Sequence, residues 1–280
     1  MKYRALFTDF DGTLYAGGGK VSDVNRKAIK AAKEAGKLVI ICSGRSWKSL
    51  AHYEEMLGLD GSGNYGVAFN GGVVYVNTEN TEIGKEFLCR HTMDTSLAHD
   101  IIRHLKKLTP EFPGTDVLVY GDNDELYAGE HLRGVTNFGE NRYLHTYFVP
   151  DFLEFPIGFA KIIVFGEDKN VKELARRIPI KCDMFFSASG FMEIMPPNVN
   201  KGRGMMFLAD YLGIPPQEII AMGDAGNDVD MLKQAGLGIA VANASDEAKA
   251  AADLILKESC DEDAVSIVIN NYLLQGTVKK

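Results

Sequence analysis

Four short apolar runs in this chain each stop at a polar residue. ALFT (5–8) runs into Asp9, LVIIC (38–42) into Ser43, GVAF (66–69) into Asn70, and IIAMG (219–223) into Asp224. Such continuous apolar runs read as strands covered on both faces, the signature of a parallel sheet. Helical stretches separate them. SDVNRKAIKAAKEAG has Ser22 as N-cap, Gly36 just past its end, and Val24, Ala28, Ala31, Ala32 and Ala35 on one face. SWKSLAHYEEMLG reads as the next helix. Strand–helix alternation implies right-handed crossovers and a parallel α/β sheet. Open sheets of this kind bind ligands outside the carboxyl ends of their strands. One polar ending would signify only a turn; four predict a functional rim.

The alternation then breaks. VVYVNTENTEIGKEF reads as a hairpin, 94–108 as an amphipathic helix, and TDVLVYGDNDELYAGE as a second hairpin. KIIVFGE is a strand, 171–177 a short helix, and DMFFSAS another strand. Regularity returns after Phe191, with helices over MMFLADYLG, DVDMLKQAG and SDEAKAAA, strands over IIAM, GLGIAVAN and ADLIL, and a final helix capped by Asp261. The expected organisation is one α/β core built from 1–89 and 188–280, with an α+β unit, 90–187, inserted. A chain of 280 residues has room for both.

Composition excludes several classes. A formal net charge of -8 argues against broad attraction to nucleic acid or an anionic membrane. A small anionic substrate in a locally positive pocket stays open. The cysteines, Cys42, Cys89, Cys182 and Cys260, form no CxxC pair, against a zinc site or disulfide framework. The histidines form no HExxH spacing. No apolar run is long enough for a signal peptide or a membrane span. The expectation is a soluble cytoplasmic protein, and nothing in the sequence sets its oligomeric state.

The polar endings carry chemistry. In extended chain, residues two apart point the same way, so Asp9 and Asp11 are expected to face one spot with Phe10 turned inward. Two close carboxylates repel unless a cation or proton joins them. A hard divalent cation such as Mg2+, which takes oxygen ligands, answers that need; an Asx-type turn at a strand end is the competing explanation. In GDAGND, Asp224 follows a buried strand and is placed to complete a metal site. Asn227 and Asp228 either serve that site or cap the next helix. Ser43, Gly44 and Arg45 put a hydroxyl and backbone amides at a strand end, an anion site or a simple Ser cap. Lys201, in NKG, lies just before a helix; it is either an ordinary solvent-exposed lysine or the cation the other pieces need.

DFDGT, SGR, NKG and GDAGND, in this order and at strand ends, resemble the four motifs of the haloacid dehalogenase (HAD) superfamily. The insertion between the second and third motifs, with the FNGG turn, resembles the Cof-type sugar phosphatase branch with a C2-type cap. The resemblance implies a Rossmann-like parallel-sheet core with an inserted α+β cap. It implies a Mg2+-dependent phosphatase acting on small phosphorylated metabolites through an aspartyl-phosphate. Sugar phosphates lead, with flavin mononucleotide or pyridoxal phosphate also fitting. Asp9 would be the nucleophile and Asp11 the general acid and base. Mg2+ would be held by the Asp9 side chain, the Asp11 backbone carbonyl and the Asp224 side chain. Ser43, the Gly44 amide, Lys201 and Asn227 would hold phosphate oxygens, with Asp228 orienting them. The cap would choose the leaving group; Tyr127, Arg133, Arg142 and Tyr143 are its candidates, against packing or exposure. The alternatives are a phosphotransferase of the phosphomannomutase type and a non-catalytic phospho-receiver or binding protein. The long insertion and the presence of Asp11 argue against the receiver. The glycines at 17–19 carry no assigned role.

Overall fold

The computed structural model describes residues 2–18, 21–132, 144–154, 158–180 and 182–275. The chain divides into two compact units: Met1–Arg90 with Asn200–Lys280, and His91–Val199.

The first unit begins with β1 (Ala5–Thr8), α1 (Asp23–Glu34), β2 (Leu38–Cys42), α2 (Trp47–Leu57) and β3 (Tyr65–Ala68). The antiparallel strands β4 (Val73–Asn77) and β5 (Lys85–Arg90) follow. Ser22 caps α1 by accepting from the Asn25 amide, and Ser46 caps α2 by accepting from Ser49. Beyond α1, Gly36 takes φ +73°, a left-handed conformation that glycine adopts without a Cβ penalty.

Among the described residues, the second unit is a six-stranded sheet with two α-helices. Its elements are α3 (Thr95–Leu108), β6 (Asp116–Gly121), β7 (Leu126–Gly129), β8 (Thr146–Val149), β9 (Phe159–Phe165), α4 (Asp168–Arg177), β10 (Asp183–Ala188) and β11 (Phe191–Met195). Strand order is β10-β11-β9-β6-β7-β8. Pairing is antiparallel except between β7 and β8. Ile101 and Leu105 of α3 and Val171 and Leu174 of α4 share a buried cluster with Val119, Ile162 and Ile194 of the sheet. Both helices therefore cover the same face, because alternate strand residues supply its apolar side. The expected boundary at 187/188 falls inside this unit. β10 pairs with β11 and β11 with β9, so the chain as far as Met195 belongs to the second sheet, and the second unit runs on to Val199. Tyr127 belongs to that core; its ring stacks 5.3 Å from Tyr147, and its hydroxyl accepts from Asn123 Nδ2 at 2.8 Å. Packing accounts for it. Arg133, Arg142 and Tyr143 lie outside the described residues.

The chain returns to the first unit through α5 (Lys201–Tyr211), β12 (Ile219–Gly223), α6 (Val229–Gln234), β13 (Leu237–Ala240), α7 (Asp246–Ala251), β14 (Leu254–Ile255) and α8 (Ala264–Val268). The large sheet has the order β14-β13-β12-β1-β2-β3-β4-β5. It is parallel from β14 to β3 and antiparallel beyond. β1 and β12 are adjacent at its centre and wholly buried, which explains their unbroken apolar sequence. α1 packs on α2 and α8, whereas α6 packs on both α5 and α7.

Three helix starts differ from expectation. α4 begins at Asp168, three residues before the expected 171. α5 begins at Lys201, capped by Asn200, rather than after it. The last helix begins at Ala264 after Asp263, not at Asp261, because Ser259 and Glu262 close a separate 3-10 turn first.

Candidate active site

β1 delivers Asp9 to the site almost fully buried, at 4% exposure. Its amide donates to the Met222 carbonyl at 2.9 Å, which ties the end of β1 to the end of β12. Gly12 follows with φ +84°, and a Cβ there would stand 2.5 Å from Asp224 Oδ2. Only glycine lets the loop pass this close to the second acidic strand end. Thr13 Oγ1 then donates to Asp224 Oδ1 at 2.8 Å.

Lys201 reaches the same place because two glycine turns interlock. A Cβ on Gly71 would stand 2.3 Å from the Asn200 carbonyl oxygen, and one on Gly204 would stand 2.7 Å from Gly71 Cα. The first turn of α5 thus seats directly on the loop after β3. Fully buried there, Lys201 donates from Nζ to Asp9 Oδ1 at 2.5 Å and to Asp228 Oδ1 at 2.6 Å. The other oxygen of Asp228 accepts the amides of Asp224 and Ala225, at 2.9 and 3.0 Å. Asp228 folds the GDAGND loop rather than capping α6 with its side chain.

Carboxylate oxygens of Asp9, Asp224 and Asp228 all lie within 4.8 Å of one another. With Lys201 the cluster keeps an excess of negative charge. Burial pushes Asp9 well above the usual carboxylate range; Lys201 opposes this, while Asp228 and Asp224 reinforce it. Burial, then Asp228, raises Asp224 to about 6. Burial alone would lower Lys201, but Asp228 and Asp9 outweigh it and hold the ammonium well above the usual lysine range. An all-oxygen donor set that resists ionisation for want of positive charge fits a hard divalent cation. Both oxygens of Asp228 already have protein partners, so Asp9 and Asp224 would be the side chains to hold such a cation.

The anion-binding candidates form a second chain of contacts. Ser43 is buried; its carbonyl accepts from the Asn70 amide at 2.9 Å, and its Oγ accepts from the Arg45 amide at 3.2 Å. Asn70 Oδ1 accepts from Asn227 Nδ2 at 3.0 Å. Gly44 lies in the bend between β2 and α2. Ser43 and Asn227, from distant motifs, are thus connected through Asn70.

Asp11 does not share the environment of Asp9. Its side chain is 47% exposed and bound in a two-pronged pair by Arg45, Nε to Oδ2 at 2.6 Å and Nη2 to Oδ1 at 2.7 Å. The two aspartates of DFDGT therefore answer to different cations. The side chains of Arg45 and Asn70 carry roles that the sequence pattern does not show. Arg45 stood in the SGR motif without a visible partner. In sequence Asn70 is only a strand ending, yet it and Phe69 adopt φ +52° and +48°, strained values for residues with side chains.

The family model for haloacid dehalogenase-like hydrolases matches residues 6–269. The chain belongs to this family. Among its relatives, "Putative phosphatase YxeH" of Bacillus subtilis (strain 168) is 30% identical over 282 residues, covering 97% of this chain and 99% of the relative. The 5-amino-6-(5-phospho-D-ribitylamino)uracil phosphatase YwtE of the same organism is 29% identical, covering 96% of this chain and 98% of its own. The solved structure of the HAD subclass IIB sugar phosphatase BT4131 superposes with a TM-score of 0.78 at 21% identity, covering 96% of this chain and 98% of that one. The last comparison shows the fold of this HAD-like hydrolase; the family and the relatives support a phosphatase of the Cof type. Among the described residues, no helix of the hydrolase is long and apolar enough to cross a membrane.

Proposed function

We propose that this HAD-like hydrolase is a Mg2+-dependent phosphatase that cleaves small phosphorylated metabolites, sugar phosphates first, through a phosphoryl group carried on Asp9. The inserted unit is read as a cap of the C2 type that sets substrate choice. The observation that carries the proposal is the buried bridge from Asp9 through Lys201 to Asp228, beside Asp224.

A carboxylate approaching a dianionic phosphate is repelled unless positive charge is already in place. Lys201 is that fixed charge, held between Asp9 and Asp228. A Mg2+ held by Asp9, Asp224 and the Asp11 carbonyl would supply further charge neutralisation. An Asp9 oxygen attacks phosphorus as the bond to the leaving oxygen breaks. Asp11 gives that oxygen its proton, and the alcohol departs. Asp11 then takes a proton from water, whose oxygen attacks the same phosphorus and breaks its bond to Asp9. Inorganic phosphate leaves and both aspartates return to their starting forms. Ser43, the Gly44 amide and Asn227 hold the phosphate oxygens throughout. The named substrates of the relatives, one a phosphoribityl compound and one a sugar phosphate, favour a polyol or sugar leaving group.

The test is phosphate release from a panel of sugar, polyol and cofactor phosphates, with Mg2+ and with EDTA. Turnover of at least one sugar or polyol phosphate, lost in EDTA and in Asp9→Asn, is expected. Activity that survives either change would overturn the reading.

A further inference from the structure

Arg45 is held far more tightly than the carboxylate it binds. Its side chain is 12% exposed against 47% for Asp11. The guanidinium carbon lies 5.4, 5.9 and 5.5 Å from the ring centroids of Phe10, Tyr15 and Tyr53. Those rings pack on one another, Phe10 and Tyr15 stacked at 5.0 Å and Tyr53 at 4.6 Å from Phe10. Nη1 donates to Ser49 Oγ at 3.3 Å. Phe10 and Tyr15 flank Asp11 in sequence, and the Gly12 amide donates to the Tyr15 carbonyl at 2.9 Å. The loop that carries Asp11 therefore builds part of the cage around its partner.

A half-exposed ion pair contributes little to stability, because water screens it. A guanidinium fork is a rigid plane, however, and two parallel bonds from it fix both the place and the orientation of a carboxylate. We infer that Arg45 is a positioning residue: it presents the Asp11 carboxylate in one orientation for proton transfer. Lys201 orders Asp9 and Arg45 orders Asp11, so the two carboxylates are aligned independently. Caged by three rings and Ser49, the fork is arranged before substrate arrives. The inference rests on the reading of Asp11 as the proton-transfer group of a phosphatase.

The test compares kcat/KM for an alkyl phosphate, whose leaving oxygen needs a proton, with p-nitrophenyl phosphate, whose leaving group does not. Arg45→Lys keeps the charge and loses the fork. It is expected to lower kcat/KM for the alkyl ester about 100-fold, the scale of a misplaced catalytic group, and to spare p-nitrophenyl phosphate by comparison. Ser49→Ala, a milder change, should shift the ratio in the same direction. With Asp11→Asn already present, Arg45→Lys should add nothing to the single-turnover release of nitrophenolate. Equal losses on both esters, or additive losses with Asp11→Asn, would mean that Arg45 acts only on the fold. Inactivity of the unaltered enzyme on both esters would instead overturn the phosphatase reading, and this inference with it.

Discussion

Lys201 and Asp9 stand 192 residues apart in the chain and 2.5 Å apart at Nζ and Oδ1. Every stage of folding contributes to that contact. β1 and β12 pair in parallel and bring Asp9 beside the GDAGND loop. The glycines of FNGG and NKGRG let α5 seat on the end of β3. Asp228 then shares the ammonium.

Removing the lysine should expose the cost of this arrangement. Lys201→Met leaves buried carboxylates without their fixed cation, and breaking a buried pair costs about 3–5 kcal/mol. Denaturant unfolding of the metal-free variant is expected to show a loss of that order. Added Mg2+ should recover part of the stability and none of the activity. Full activity in Lys201→Met would remove the lysine from the chemistry.

The acid at Asp224 predicts an inverted pH dependence for the metal-free protein. Its pKa is raised from 3.8 to about 6, so the folded state binds a proton that the unfolded chain releases between those values. Stability is then greatest below 3.8 as far as this group is concerned, and falls as pH rises through about 6. The shift corresponds to about 3 kcal/mol at most. Mg2+ should reverse the trend, since it replaces the proton, and its affinity should weaken as pH drops below about 6. Melting curves across this range, with and without Mg2+, check the sign.

Much of this site was legible because its residues interrupt apolar runs. Asp9, Ser43 and Asp224 stand out against ALFT, LVIIC and IIAMG without any knowledge of the fold. Other features depend on partners that local pattern does not reveal. Gly202 and Gly204 look like reasons to start α5 later, since glycine is a poor helix former. They are tolerated in its first turn because Asp230 and Gly71 lie against them. Arg45 sits in an obvious motif, but its partner lies 34 residues earlier. The sheet to which β10 and β11 belong is set by long-range pairing, so the boundary of the second unit was misplaced. Of the glycine-rich stretch, Gly17 and Gly18 take φ +101° and +76°, which favours glycine, and Gly19 lies outside the described residues.

Those glycines give a controlled comparison with Gly12. All three have positive φ, so alanine costs roughly 1–2 kcal/mol at each from conformation alone. At Gly17 and Gly18 a Cβ meets nothing within 4 Å, whereas at Gly12 it meets Asp224 Oδ2 at 2.5 Å. Gly17→Ala is therefore expected to lower Tm slightly and leave Mg2+ affinity unchanged. Gly12→Ala should displace Asp224 and weaken Mg2+ binding measured by calorimetry. Equal Mg2+ affinities in the two variants would refute the close approach.

Asn70 separates strain from function. Its left-handed backbone, together with that of Phe69, costs of order 1–3 kcal/mol per residue. Its side chain accepts from Asn227, while Asn227 Oδ1 is buried with no partner. Rotating both amides keeps their mutual bond and turns that oxygen's place into an N–H donor for a phosphate oxygen. Asn70→Gly relieves the backbone and frees Asn227 to rotate away. Tm is expected to hold or rise, while kcat/KM for a phosphate ester falls about 10-fold or more, the loss of one oriented donor. Asn70→Ala loses the same side chain without relieving φ, so it should fall in both activity and Tm. A drop in Tm for Asn70→Gly, with activity intact, would reverse the assignment and make Asn70 a residue of the fold alone.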